Sequence, residues 1–227
     1  MDALLRRRAM IAAGGGTPPT PPLPYTQVEY IETDGTAYID TGIKGNAPMS
    51  AKISVTPATI ESGNKYVFGC RKDTGNTRFI FLTLNADKYA GFGYAAANSV
   101  NALSIANSFN NSTPVIVQTS LKAGSQKIYA KQAGESSYSS NSGSNSGTIT
   151  TGINIHFFGY NYVGTHSSNL AGLKVQWCKI YDDDTFTNLI FDAVPCYYNG
   201  EYGMWDKVSD TFFGNAAGSG AFTGPSI

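Results

Sequence analysis

The sequence predicts an all-β fold, two antiparallel sheets packed as a sandwich, and three observations carry that prediction. Short apolar runs, several with period-two alternation, recur along the chain; turn residues punctuate them at short intervals; no amphipathic helical segment lies between them. Of the 227 residues, 25 are Gly, 14 Tyr and 12 Phe, which suits many short strands, tight turns and aromatic rings left at the surface. Setting aside residues 1–24 leaves about 200, the size of one large sandwich with a real core.

Residues 1–24 form a segment of their own. Leu4, Leu5, Met10 and Ile11 surround Arg6, Arg7 and Arg8 in a stretch too short to be a stable helix without a partner. Gly14 to Gly16 then give a flexible joint, and TPPTPPLP (17–24) gives a stiff, polyproline-like spacer. Two readings are open: a docking peptide on a tether, whose arginines beside leucines suit an acidic, grooved surface, or a tag-and-linker scar. The apolar stretch Ala9 to Ala13 is shorter than a signal-peptide core of about 7–15 residues, so classical secretion is not expected. No segment approaches the roughly 20 apolar residues of a membrane span.

From Tyr25 to the end the domain (25–227) reads strand after strand. Met49, Ala51, Ile53 and Val55 alternate with Ser50, Lys52, Ser54 and Thr56, the pattern of a strand with one buried face. Phe79 to Leu84 and Val115 to Val117 are continuous apolar runs, as where both faces are covered. Further strands are expected at 27–31, 37–41, 66–70, 89–94, 127–131, 153–158, 173–181 and 189–194. The low-complexity stretch GESSYSSNSGSNSG (134–147) cannot build a core and is predicted to be a surface loop.

Charge excludes several functions. Charged residues make up 14%, with 16 basic and 16 acidic side chains, so no net field gathers a polyanion or a membrane surface, and nucleic acid is not an expected partner. Cys70, Cys178 and Cys196 form no CxxC pair, which leaves plain buried thiols. His156 and His166 are too few and too far apart in sequence for a histidine-rich metal site. Asp182 and Asp184 could share a face toward calcium, but a solvated acidic turn is the preferred reading; no metal and no cofactor is expected. A glycoside hydrolase needs two carboxylates about 5–9.5 Å apart across a groove. Glu29 and Glu32 point to opposite faces of a strand, and no other pair offers itself. No catalytic residue is assigned.

What remains is recognition. Sugars are held by an aromatic face plus a few amide or carboxylate hydrogen bonds. Tyr160, Asn161, Tyr162 and Trp177 are the candidates for glycan contact, with Asn161 and Tyr162 better exposed in a Gly-flanked segment. Trp177 shares a strand face with Val175 and Tyr181, while Cys178 and Ile180 share the other, and either face could point inward.

Two blocks, TQVEYIETDGTAYIDTGI (26–43) and KIYDDDTFTNLIFDAVPCYYNGEYGMWDKVSDTFFGNAAGSGAFTGP (179–225), resemble the laminin-G/concanavalin A-like jelly-roll domains of gut bacteria and their phages. The resemblance implies a jelly-roll sandwich in which Asp40, Asp192 and Asp206 fix turns and corners. The Arg-rich start and Gly/Pro linker also resemble small phage structural proteins with an anchoring peptide and a projecting sandwich. It implies a non-enzymatic virion protein, a head fibre, capsid decoration or tail-associated protein at the virion surface. Its partners would be a capsid or tail protein, a glycan, and copies of itself, as in a trimer. A carbohydrate-binding module at the bacterial surface is the alternative, and a glycoside hydrolase the third reading.

Overall fold

The structure, a computed structural model, describes residues 23–60, 62–73, 78–96, 99–147, 149–167 and 172–227. Leu4, Leu5, Arg6, Arg7, Arg8, Met10 and Ile11, expected to dock, lie outside them. Nineteen strands and no helix occur among the described residues. In chain order they are β1 (Thr26–Gln27), β2 (Ile31–Thr33), β3 (Ile39–Asn46), β4 (Met49–Thr56), β5 (Asn64–Arg71), β6 (Arg78–Asn85), β7 (Ala90–Ala96), β8 (Ser99–Ile105), β9 (Val115–Lys122) and β10 (Ser125–Gln132). There follow β11 (Ser139–Gly143), β12 (Thr150–Phe157), β13 (Tyr160–Tyr162), β14 (Thr165–Ser167), β15 (Lys174–Tyr181), β16 (Leu189–Tyr198), β17 (Glu201–Asp206), β18 (Thr211–Phe213) and β19 (Phe222–Thr223).

The strands build two sheets. An eleven-stranded sheet runs β11-β10-β9-β4-β15-β16-β17-β18, with β1 on β16 and with β2 between β15 and β19. An eight-stranded sheet runs β14-β13-β5-β6-β7-β8, with β12 on β5 and β3 on β12. All pairings are antiparallel except β13 with β5. The sheets enclose one main core. Met49, Ala51, Ile53 and Val55 enter it as their alternation predicts. In the eight-stranded sheet Phe68, Leu82, Phe92 and Leu103 are successive cross-strand partners on β5 to β8, and all four are buried. Phe157 meets Phe191 across the sheets with ring centroids 6.0 Å apart. Each fully buried side chain of this size contributes about 1.5–3 kcal/mol.

The stretch 134–147 departs from the predicted loop. Ser139–Gly143 form β11, an edge strand on β10, with side chains exposed as far as Ser142. Its ladder of backbone hydrogen bonds, rather than a buried face, makes it a strand, and so no apolar alternation announces it. Gln126, fully buried, then clamps the chain beyond it: its amide accepts from Tyr94 Oη (3.0 Å) and Asn145 N (2.8 Å) and donates to Asn145 O (2.7 Å).

A second, smaller apolar cluster sits on the face of β16 and β17 turned away from the core. It contains Tyr25, Val194, Cys196 and Trp205, with Tyr25 stacked on Trp205 at 4.8 Å.

Candidate functional site

Because strand side chains alternate, the residues between the buried ones on β5 to β8 face outward. Tyr66, Thr83, Gly91 and Ser104 are cross-strand partners in one such row, and Asn64 pairs with Asn85 in the next. Together with Asp87 and Tyr89 from the β6–β7 turn they line a groove of about 450 Å3. Gly91 and Gly93 leave bare backbone in its floor. A Cβ on Gly91 would approach Thr83 Oγ1 to 2.7 Å, so only glycine keeps the floor low. Asn85 Oδ1 accepts the Tyr89 N–H at 2.9 Å, which fixes the turn carrying the exposed Tyr89 ring.

The aromatic surface continues past β5. Tyr66 packs on Tyr160 with centroids 4.6 Å apart, Tyr160 meets Tyr162 edge-on at 6.4 Å, and the Arg71 guanidinium lies 5.2 Å from the Tyr162 ring. Two of the four residues predicted from sequence therefore adjoin the groove. Asn161 does not reach the groove: it is 5% exposed, its Oδ1 accepts the Gly164 N–H at 2.8 Å to hold the β13–β14 turn, and it lines the second cavity described below. Its position between two glycine-bounded aromatics suggested exposure, whereas a short hairpin pressed on β5 buries alternate residues.

Trp177 lies on the other sheet. A bulge between Val175 and Trp177 shifts the phase of β15, so that Val175, Cys178 and Ile180 are buried together and Trp177 is left half-buried. Strict alternation could not foresee that shift.

A second cavity, about 600 Å3, opens beside β3, β12 and β13, where the fold unites residues far apart in sequence. His156, 3% exposed, and His166 approach with their Nδ1 atoms 3.2 Å apart, and Tyr38 stacks on both rings at 4.7 and 3.8 Å. His156 Nε2 lies 3.6 Å from Asp40 Oδ2, a close approach too long for a hydrogen bond. One proton arrangement suits this order. With a hydrogen on His156 Nε2 facing Asp40, its Nδ1 accepts from His166 Nδ1–H, and the buried, unpartnered His166 Nε2 is then a lone pair rather than an unsatisfied donor. Burial pushes both imidazoles below the usual histidine value, that of His166 to about 4, with the His156 charge as its second cause; Asp40 partly offsets the effect on His156. Asn154 donates to both Asp40 oxygens (2.9 and 3.1 Å) and accepts from Lys44 Nζ (2.7 Å). Sequence separation hid this cluster; only the β12–β13–β14 meander brings the two histidines together.

Among the described residues each cavity is lined by a single carboxylate, Asp87 in the groove and Asp40 in the second. Among the described residues no group of three or more His, Cys, Asp or Glu could hold a metal ion. The acidic turn after β15 uses its carboxylates locally: Asp183 accepts the N–H groups of Thr185, Thr187 and Asn188, and Asp184 pairs with Lys122 at 3.5 Å.

No protein-family model matches the chain, and no curated protein matches it. Solved structures do. The CBM40 domain of the Ruminococcus gnavus IT-sialidase bound to α2,3 sialyllactose superposes with a TM-score of 0.52 at 16% identity, over 70% of this chain and 92% of that one. Domains LG4-5 of the mouse laminin α1 chain give 0.50 at 14% identity, over 68% and 41%. The enzymatically active domain of bacteriophage CBA120 tailspike protein 2 gives 0.52 at 10% identity, over 81% of this chain and a third (34%) of that one. The fold is a laminin-G/concanavalin-like jelly roll. At such identities the likeness concerns architecture, and the jelly roll's ligand must be read from its own residues.

Proposed function

We propose that this jelly roll is a non-enzymatic carbohydrate-binding domain whose ligand lies in the groove on the outer face of the eight-stranded sheet. One observation carries the reading: a low floor at Gly91 and Gly93 is flanked by Tyr66 and Tyr89 and prolonged by Tyr160 and Tyr162. Tyrosine faces stack on the C–H surface of a sugar ring, and the amides and hydroxyls of Asn64, Asn85, Thr83 and Ser104 suit its hydroxyl groups. A groove of about 450 Å3 falls within the range of ligand sites. The single lining carboxylate supports binding without hydrolysis, since both glycosidase mechanisms need a pair. The CBM40 neighbour, solved with sialyllactose, supports the ligand class.

Tyr89→Ala and Gly91→Leu test the site, the first removing a stacking ring and the second raising the floor. Each is expected to weaken retention on a glycan array about tenfold, a loss of about 1.4 kcal/mol. The exposed Tyr89 should leave the melting temperature nearly unchanged. Unaltered retention in both variants would remove the groove from consideration.

As carrier we propose a bacteriophage virion, with the domain as head fibre, capsid decoration or tail-associated protein. Residues 1–24 dock to a capsid or tail protein, and oligomerisation multiplies weak sites by avidity. The Arg-rich start and Gly/Pro spacer support this. Deleting residues 1–24 should abolish incorporation into particles while leaving a folded domain. Incorporation that survives the deletion favours the second reading, a module at the bacterial cell surface, which the 92% coverage of a bacterial binding module supports.

A further inference from the structure

The groove also carries information about which glycans it accepts, an inference that rests on the carbohydrate-binding reading above. Among the described residues that line it, Asp87 alone is charged, and no Lys or Arg is among them. Asp87 is exposed on the β6–β7 turn, beside Tyr89. The neighbouring Lys88 does not neutralise the groove, because its Nζ lies over the Phe109 ring, 5.8 Å from the centroid. Arg71, at the far end of the aromatic strip, is held at Tyr162, and its Nε donates to Asp73 O at 2.8 Å. A carboxylate or sulfate on a bound sugar would thus meet an uncompensated negative charge and none of the guanidinium or ammonium partners that such anions require.

The shape adds a second constraint. The lining runs across four strands, from Asn64 and Tyr66 on β5 to Ala102 and Ser104 on β8. Three inter-strand steps of about 4.8 Å span about 14 Å, while the aromatic strip leaves the groove at Tyr66 and follows β13 alongside β5 toward Arg71. A trough of that length takes several linked sugars lying across the strands, not one terminal residue in a closed pocket.

We propose that the groove selects neutral oligosaccharide or polysaccharide chains over acidic ones, with Asp87 as the residue that rejects anions. Affinity electrophoresis of the full chain in native gels tests this. One set of gels contains neutral polymers (galactomannan, xyloglucan, mixed-linkage β-glucan) and the other anionic ones (polygalacturonate, hyaluronate). Retardation by at least one neutral polymer and by neither anionic one is the expected result, with at least a tenfold difference in the polymer concentration needed. Asp87→Lys should gain retardation by the anionic polymers at low salt. Glu29→Lys, the same charge change at an exposed position outside the groove, should not. Wild-type retardation by an anionic polymer as strong as by any neutral one overturns the selectivity and leaves the glycan reading standing. An Asp87→Lys variant no different from Glu29→Lys overturns the role of Asp87. Absence of retardation by every polymer overturns the carbohydrate reading itself.

Discussion

His156 and His166 stand ten residues apart in sequence and share one hydrogen in the fold. Two imidazoles joined Nδ1 to Nδ1 under a tyrosine ring hold together as a neutral pair, and a second proton would leave two N–H groups facing each other. The consequence for stability has a definite sign. In the unfolded chain both histidines protonate as pH falls through about 6.5, whereas in the folded chain His166 resists until about 4. The unfolded state therefore binds more protons in that interval. Stability from this pair is full above pH 6.5 and drains away between 6.5 and 4. Melting temperatures recorded from pH 7.5 to 4.5 should fall across this window, and His166→Phe, which keeps a ring against Tyr38 but cannot titrate, should flatten the fall. The Asp183 carboxyl, held down to about 2 by backbone N–H groups, loses its contribution only below the ordinary carboxylate range. Legibility at this scale is uneven. Tyr160 and Tyr162 were visible as aromatics flanked by glycines, but the partners that give them meaning, Tyr66 and the glycine floor, lie on strands whose only local signature is being strands.

Among the elements, β3 and β5 touch where glycine leaves no room for anything larger. A Cβ on Gly45 would run into the buried Sγ of Cys70, which itself lies 3.3 Å from Thr151 Oγ1. Gly45→Ala should cost about 1–3 kcal/mol by overpacking, a fall in melting temperature of about 2–12 °C for a chain of this size. Combining it with Cys70→Ala, which vacates the sulfur's volume, should restore most of the loss; a double variant no better than the single one would place the strain elsewhere. Burial also pushes the Cys70 thiol up to about 11, consistent with the inert thiol its sequence context suggested. Most strands were readable from alternation or apolar runs. The unread ones include β8, β17, β18 and β19; β11, which pairs by backbone alone; and the β13–β14 hairpin, three residues a side, too short for any periodicity, while the β15 bulge, which reverses the phase of Trp177, was not foreseen.

On the scale of the whole molecule, the two ends that carried the family resemblance are the ends that the fold brings together. β19 pairs with β2, Asp34 accepts the Ala221 N–H at 3.1 Å, Ala216 donates to Tyr38 O at 2.9 Å, and Val28 donates to Pro195 O at 3.1 Å. Phe222, 5% exposed, closes the seam against Phe158 at 4.9 Å. Phe222→Ala is expected to cost about 3–5 kcal/mol, read as a lower denaturant midpoint in equilibrium unfolding. The architecture was legible because these terminal blocks and the strand rhythm agree with each other; the groove was not, because a sheet's outer surface is assembled from one residue on each of several strands. The stack of Tyr25 on Trp205 gives this closure an orientation. It fastens the start of the domain to the outer side of the eleven-stranded sheet, while the groove lies on the outer side of the other. A support that grips the protein ahead of Tyr25 therefore holds it from behind, so an N-terminally immobilised sample leaves the groove open to the medium.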